Sequence, residues 1–318
     1  MSEPTPEPPT PAPLVMISHE MLEPVRRPLE AAGFQVAPGH APSDETREAI
    51  RVIVHAGEVP LTPELLERLP NLGLIACVSV GYDGIDVGWC RKRGIEVTHA
   101  KGLNADDVAD HAIGLILASW RNIVAGDQVV RAGGWRGDDR LRPRPGLKGR
   151  KLGIMGLGAI GEAVARRAEA FGMEVAWWGP NPKPAAWPRA DSLLALARES
   201  DILVVACRAD ASNRGAVSGT IIEAVGPRGL IVNVARGSII DEDALIAALK
   251  DGRLGRAALD VFAEEPTPAA RWADVPNTVL TPHTAGGTVD SIPRMVAQAL
   301  ENVRLFLAGE PVASPVAA

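Results

Sequence analysis

Lys151-Leu-Gly-Ile-Met-Gly-Leu-Gly-Ala-Ile-Gly161 is the stretch whose reading decides the fold. An apolar run reaches Gly156, and Gly156, Gly158 and Gly161 then fall in a G-x-G-x-x-G spacing. The residues Ile160–Phe171 follow with the period of an amphipathic helix, and Glu174–Trp178 reads as the next strand. Three glycines alone are a weak signal. Between a strand and a helix they predict a dinucleotide-binding turn. The first glycine makes the turn, the second lets backbone approach a pyrophosphate, the third lets helix and strand pack closely, and the helix N-terminus offers amides to the anion.

Outward from this turn, Asp201–Ala206, Gly229–Val234, Arg256–Val261 and Thr278–Leu280 read as further strands. Helical patterns at Ser192–Arg198 and Glu242–Lys250 alternate with them, which predicts a doubly wound parallel sheet. Upstream, Leu14–Ser18, Val52–His55, Leu74–Val80 and Glu96–His99 read as strands of a second α/β series. A long helix is expected from Asp106 to Arg121, with Asp106 and Asp107 in its first turn, where carboxylates complement the macrodipole. Val289–Leu307 reads as a helix returning to the first series. The predicted fold class is α/β: two doubly wound parallel-sheet domains, with a Rossmann dinucleotide-binding domain (104–286) inserted into a flavodoxin-like substrate domain (14–103 and 287–318). Residues 1–13, rich in Pro and Glu, read as a disordered tail; the rival reading, a ligand for a proline-recognising module, has only composition behind it.

The 318 residues exceed what one core usually organises, and 46% apolar with 23% charged residues suits a globular enzyme. A net charge of −6 disfavours nucleic acid and anionic membrane surfaces as partners. The tail lacks the basic start and apolar core of a secretory signal, and no apolar run approaches membrane-spanning length. Cys77, Cys90 and Cys207 are odd in number and widely spaced inside apolar runs, which argues against disulfides or a zinc site. A soluble, reducing, cytoplasmic setting with no metal is expected.

The end of Glu174–Trp178 bears on the choice of nicotinamide cofactor, because a carboxylate there accepts both ribose hydroxyls of NAD and repels a 2′-phosphate. The sequence continues Gly179-Pro180-Asn181-Pro182-Lys183, with no acid and with a cation soon after, and Arg208 follows the next strand. NADPH is therefore favoured over NADH, with Gly179, Asn181, Lys183 and Arg208 as the expected 2′-phosphate pocket. The alternative is a solvated turn that does not discriminate.

Three motifs sit where later strands end: Asn233-Val-Ala-Arg-Gly237, Leu259-Asp-Val-Phe-Ala-Glu-Glu-Pro266 and Thr281-Pro-His-Thr-Ala285. That edge is where open α/β sheets bind ligands. The motifs supply a cation, a carboxylate and an imidazole, the residue types needed to hold a 2-oxo acid and protonate the oxygen that gains charge in its reduction. Singly, each has a plainer reading: a surface arginine, a helix-flanking acid, a hydrogen-bonded loop histidine.

In this order around the glycine-rich turn, the motifs resemble those of the D-isomer-specific 2-hydroxyacid dehydrogenase family, over nearly the whole chain from about Leu14. The resemblance implies that Arg236 binds the substrate carboxylate and carbonyl, that His283 is the general acid, and that Glu265, immediately before the proline, pairs with His283; Glu264 is its nearest rival. A carboxylate beside an imidazole favours the imidazolium and keeps the donor protonated at neutral pH. Asp260 is implied to support the nicotinamide site without donating a proton. Leu157, Ala159 and Ile160 in the turn, Cys207 beside Arg208, Val234 and Ala235 before Arg236, and Val108 in the long helix join the implied cofactor pocket.

In the first domain, Ser79-Val-Gly-Tyr-Asp-Gly-Ile-Asp86 matches the family loop whose amides grip the substrate carboxylate, with Val80 and Gly81 as candidates. Asn104 stands where an apolar residue is frequent, and it either touches substrate or caps the following helix. Arg131-Ala-Gly-Gly-Trp135 and the acid-free strand end look most like the glyoxylate/hydroxypyruvate and hydroxyphenylpyruvate reductases. The implied activity is hydride transfer from NADPH to C2 of a small 2-oxo acid, giving a D-2-hydroxy acid. An aromatic 2-oxo acid (hydroxyphenylpyruvate) reductase, a D-lactate-type dehydrogenase and, from a different class, a nicotinamide-sensing corepressor on the same fold are the alternatives. A homodimer is implied, with Trp135 directed at the partner's pocket.

Overall fold

The computed structural model describes residues 12–135 and 143–316; the expected tail lies almost wholly outside the described residues, as does the middle of the segment 133–148. Two compact units emerge, one formed by Met1–Leu103 with Val289–Ala318 and the other by Asn104–Thr288.

The first unit carries β1 (Leu14–Ile17), β2 (Gln35–Val36), β3 (Ile50–His55), β4 (Leu74–Cys77) and β5 (Glu96–Thr98). All pair in parallel in the order β2-β1-β3-β4-β5, the flavodoxin-like arrangement. Helices α1 (Arg26–Ala31), α2 (Pro63–Glu67) and α3 (Val87–Lys92) lie between strands. Successive side chains of a strand face opposite ways. Val15, Ile17, Val52 and Val54 therefore pack on one side with Ala299 and Val303 of the C-terminal helix Ser291–Leu307, while Met16, Ile53 and Ile75 fill the other. A sheet covered on both faces needs apolar runs rather than alternation, and these strands supply them.

The second unit carries β6 (Lys151–Met155), β7 (Glu174–Trp178), β8 (Ile202–Val205), β9 (Leu230–Asn233), β10 (Arg256–Leu259) and β11 (Thr278–Leu280). The parallel order is β11-β10-β9-β8-β6-β7. Its helices are α4 (Ala105–Trp120), α5 (Ile123–Arg131), α6 (Ala159–Ala170), α7 (Leu193–Glu199), α8 (Gly219–Val225), α9 (Glu242–Lys250) and α10 (Ala269–Trp272). Leu152, Ile154, Ile202, Val204 and Val232 face α4 and α6, and Met155, Leu203, Val205 and Ile231 face α7, α8 and α9. Each such side chain contributes about 1.5–3 kcal/mol on leaving water. Strand order reverses at β6, flanked by β7 and β8, and the crevice outside the carboxyl ends of those strands is the expected ligand position.

Beyond β7, at the edge of this sheet, a parallel bridge joins Trp177 to Arg189. Acids near the start of α4 do more than face its dipole: Arg167 of α6 donates to Asp106 of the first turn at 3.0 Å and to Asp110, one turn on, at 2.6 Å. Thr288 Oγ1 donates to Asp107 at 2.6 Å, and a Cβ on Gly286 would fall 2.3 Å from Asn104 Nδ2. The chain thus enters and leaves this unit at adjacent points.

β4 stops at Cys77 rather than Val80, because Ser79 Oγ donates to Gly81 O at 2.9 Å and accepts from Gly57 N at 2.8 Å, which turns the chain. The strand β2 and the helices α5 and α8 were not expected from the sequence patterns. Among the described residues no helix is long and apolar enough to cross a membrane, and no cluster of His, Cys, Asp and Glu could hold a metal ion.

Candidate active site

Gly156 ends β6 at φ +97°, its amide donating to Trp178 O at 2.8 Å. A Cβ there would lie 2.4 Å from Cys207 Cβ, so only glycine fits both the backbone and the space. At Gly161 a Cβ would meet Gly156 O at 2.2 Å, whereas at Gly158 nothing lies within 4 Å. The turn is closed on the protein side and open on the other. Gly158 is the N-cap of α6 and brings no side-chain acceptor, so the leading amides of the helix keep their capacity for an anion. These residues fit a dinucleotide pyrophosphate. Ala159 is exposed and Ile160 half-buried beside the opening, while Leu157 turns into the core.

At the end of β7, Gly179 O accepts from Arg189 Nη2 at 2.7 Å and Nε at 3.3 Å, and that guanidinium lies 5.8 Å from the Trp177 ring centroid. Lys183 Nζ bonds Glu162 Oε1 of α6 at 2.6 Å, Arg208 Nη2 bonds Asp210 at 3.3 Å, and Asn181 is exposed. The two expected cations are present, but both carry carboxylate partners. Arg189 was missed because its approach depends on the bridge to Trp177, a pairing with no local signal.

At the other strand ends, His283 Nδ1 and Glu265 Oε2 are 2.6 Å apart, and Glu265 Oε1 accepts from Phe262 N at 2.8 Å. The hydrogen bond to Glu265 raises the His283 pKa above its ordinary value, against opposing burial and the positive charge of Arg236. Burial alone would push the Glu265 carboxyl up; hydrogen bonds from His283 and the Phe262 amide outweigh it and hold the carboxyl below its usual range. The two side chains remain 35% and 34% exposed, enough for the free edge of the imidazole to meet a small molecule. His283 adopts φ +50°, a conformation unusual for a side chain of this size, and its amide donates to Asp260 O at 2.8 Å.

Arg236 is fixed by Asn233, whose Nδ2 donates to Arg236 O at 3.0 Å and whose Oδ1 accepts from Ala235 N at 3.0 Å. Arg236 Nη1 donates to Ala235 O at 2.9 Å, and Val234 and Ala235 are buried beneath it. A Cβ on Gly237 would lie 1.9 Å from the Phe262 carbonyl carbon, so the loops after β9 and β10 touch and bring the Arg236 charge within reach of Glu265 and His283. Buried Glu242 of α9 pins the second loop: it accepts from Ala263 N at 2.9 Å and pairs with Arg271.

Asp260 is 1% exposed. It accepts from the Thr281 hydroxyl at 2.6 Å, from Thr284 N at 3.0 Å and from Ala285 N at 2.9 Å, gripping the segment around His283. Burial would raise its pKa, but His111, Thr281 and the two amides together hold it down to about 2. His111 was overlooked in the sequence: its Nε2 lies 2.9 Å from Thr281 Oγ1 and 3.4 Å from Asp260 Oδ1. The available hint was its place four residues after Asp107 on one face of α4.

Val108 packs beside Gly286, and a Cβ on that glycine would lie 3.5 Å from Val108 Cγ2. Asn104 occupies the N-cap of α4 without a side-chain capping bond, and its buried Oδ1 has no hydrogen-bond partner among the described residues. In the first unit, His99 Nδ1 lies 2.9 Å from Val80 O, Gly81 O accepts from Ser79, and the amides of Val80 and Gly81 donate to no backbone carbonyl among the described residues.

The family model described as D-isomer specific 2-hydroxyacid dehydrogenase, NAD binding domain, matches residues 113–285. A hydroxyphenylpyruvate reductase of Plectranthus scutellarioides is 40% identical over 271 residues, covering 85% of this chain and 86% of the relative. A glyoxylate/hydroxypyruvate reductase of Arabidopsis thaliana is 39% identical over 269 residues, covering 84% of this chain and 83% of its own. Among solved structures, an NADPH-dependent glyoxylate/hydroxypyruvate reductase from Sinorhizobium meliloti, in complex with NADP and malonate, superposes with a TM-score of 0.89 at 32% identity, covering 96% of this chain and 97% of that one.

Proposed function

We propose, from the premise that this chain belongs to the D-isomer specific 2-hydroxyacid dehydrogenase family, that it reduces a small 2-oxo acid of the glyoxylate or hydroxypyruvate kind to the D-2-hydroxy acid with NADPH. The carrying observation is the 2.6 Å contact between His283 Nδ1 and Glu265 Oε2, with Arg236 close enough for its charge to act on both.

A bound nicotinamide supplies the hydride that C2 of the substrate receives. Arg236 holds the substrate carboxylate and draws electron density from the carbonyl, where its fixed charge is worth most once water is excluded. His283, protonated and donating through Nδ1 to Glu265, presents its second ring N–H to the carbonyl oxygen and gives up that proton as the oxygen gains charge. Glu265 keeps the ring oriented and charged. Asp260 stays ionised and positions the backbone on which His283 stands. Val80 and Gly81 of the first unit carry amides with no backbone acceptor among the described residues, donors suited to a carboxylate.

NADPH is favoured by the absence of an acid at Gly179 and by Lys183, Arg189 and Arg208 around the end of β7 and the following loops. The NADP complex of the Sinorhizobium meliloti relative agrees with this. A homodimer is the proposed state: α5 has no buried residue, and Ile123, Val130 and Trp135 stand 55%, 53% and 72% exposed, an apolar surface that a second copy would cover.

The test follows nicotinamide absorbance with glyoxylate, hydroxypyruvate and hydroxyphenylpyruvate, each with NADPH and with NADH. Turnover of one of the first two with a lower KM for NADPH is the expected result. Cofactor binding without turnover of any of the three refutes the reaction, and a clear NADH preference refutes the 2′-phosphate pocket.

A further inference from the structure

A cavity of about 300 Å³ opens at the amino ends of β9, β10 and β11, the edge of the second sheet opposite the catalytic residues. Arg256 begins β10 and Asp260 follows its end, so the four intervening steps separate the two sites by roughly 13 Å. The lining includes Arg144, Arg228, Arg256 and Trp120, and no acidic residue.

Arg256 is 7% exposed. Its Nη1 donates to Ser119 O and to Asn122 Oδ1 at 2.8 Å, and among the described residues no carboxylate pairs with it. Arg144 and Arg228 are exposed, with no ion pair among the described residues. Trp120, 5% exposed, has an indole N–H without a hydrogen-bond partner among the described residues. Burial and, after it, the nearby charge of Arg144 lower the Arg256 pKa. A buried cation with two more around it and a spare N–H donor is chemically incomplete, and a multiply charged oxyanion supplies what is missing.

We propose that this cavity binds a small multivalent oxyanion, a phosphate ester or a polycarboxylate, at the edge of the sheet away from the chemistry. Arg144 and Arg228 supply the outer charge-assisted contacts, Arg256 the buried charge, and Trp120 with Leu254 a wall for the ligand's carbon skeleton. The site lies wholly in the second unit and is independent of the reaction proposed above.

The test uses the full chain saturated with NADP⁺, so that the glycine-rich turn is filled, and titrates inorganic phosphate and citrate in separate arms by thermal melting and calorimetry. Sodium chloride at matched ionic strength is the reference. One probe should raise Tm by about 5 °C when present at a hundred times its dissociation constant, and which probe does so identifies the ligand class. The double variant Arg144→Ala/Arg228→Ala, altered only at exposed positions, should melt normally without ligand and bind at least about tenfold more weakly. Trp120→Phe keeps the ring, loses the donor, and should bind a few-fold more weakly. Arg236→Ala should retain the response. No shift beyond chloride with either probe overturns the proposal, as does a shift that survives the double variant and disappears with Arg236→Ala.

Discussion

Replacing Asp260 with Asn removes one charge and keeps the shape of the side chain, at a buried position where three protein donors converge on the carboxylate and His111 stands 3.4 Å away. The folded chain holds this carboxyl down to about 2 from an ordinary 3.8, which favours the ionised folded state by roughly 2 kcal/mol. Asparagine also turns an NH₂ toward one of those donors, which leaves a buried pair unsatisfied at a cost of about 1–3 kcal/mol. Asp260→Asn should therefore lose about 3–5 kcal/mol of stability at pH 7, or roughly 6–20 °C in the melting of a unit of this size. The sign follows from the lowered folded pKa: the contribution is complete above 3.8 and is lost as pH falls toward 2. The gap between wild type and variant should stay constant from pH 8 to pH 5 and narrow, by roughly 2 kcal/mol, only below about pH 4. Urea denaturation at several pH values measures this. A loss under about 1 kcal/mol, or a gap that changes between pH 5 and 8, would refute the reasoning. Because Thr284 and Ala285 hang from this carboxylate, kcat should fall by about 10–100-fold while the KM for cofactor changes little.

Glu265→Gln removes the group that raises the His283 pKa, so the fall in reductive kcat with rising pH should move to lower pH, and an unmoved pH–rate profile would detach Glu265 from this role. His283→Ala should lower kcat by about 10²–10⁴-fold with cofactor affinity nearly unchanged, checked by steady-state kinetics beside cofactor titration. Gly158→Ala places a methyl in open space and should leave Tm unchanged while raising the cofactor KM, whereas Gly156→Ala, with Cys207 in the way and φ at +97°, should destabilise the fold; equal melting temperatures would contradict this.

The parallel sheet of the second unit was readable because its strands are apolar on both faces and its turns carry glycine at constrained positions. β6, β7 and β11 have the bounds that the sequence pattern suggests. β2 has only two residues, too few for any period. α8 begins at Gly219 and carries Ile221 and Ile222, poor helix formers, so it owes its helix to packing on β9 and its neighbours rather than to propensity. In the candidate site, Arg236, Glu265 and His283 were legible because each follows a strand end in a recognisable motif. His111 was not, since its partner Thr281 lies 170 residues away, and Lys183 could be counted as a cation but not as the partner of Glu162.

The bond between Thr288 and Asp107, with Gly286 against Asn104, brings together the two ends of a 185-residue insert, Asn104–Thr288. For the host polypeptide such an insert is topologically equivalent to a short loop, because once it has folded by itself its length adds almost nothing to the entropy of closing the host sheet. Ends this close together are the geometry that grafting into a surface turn, or excision and replacement by a few residues of linker, would require.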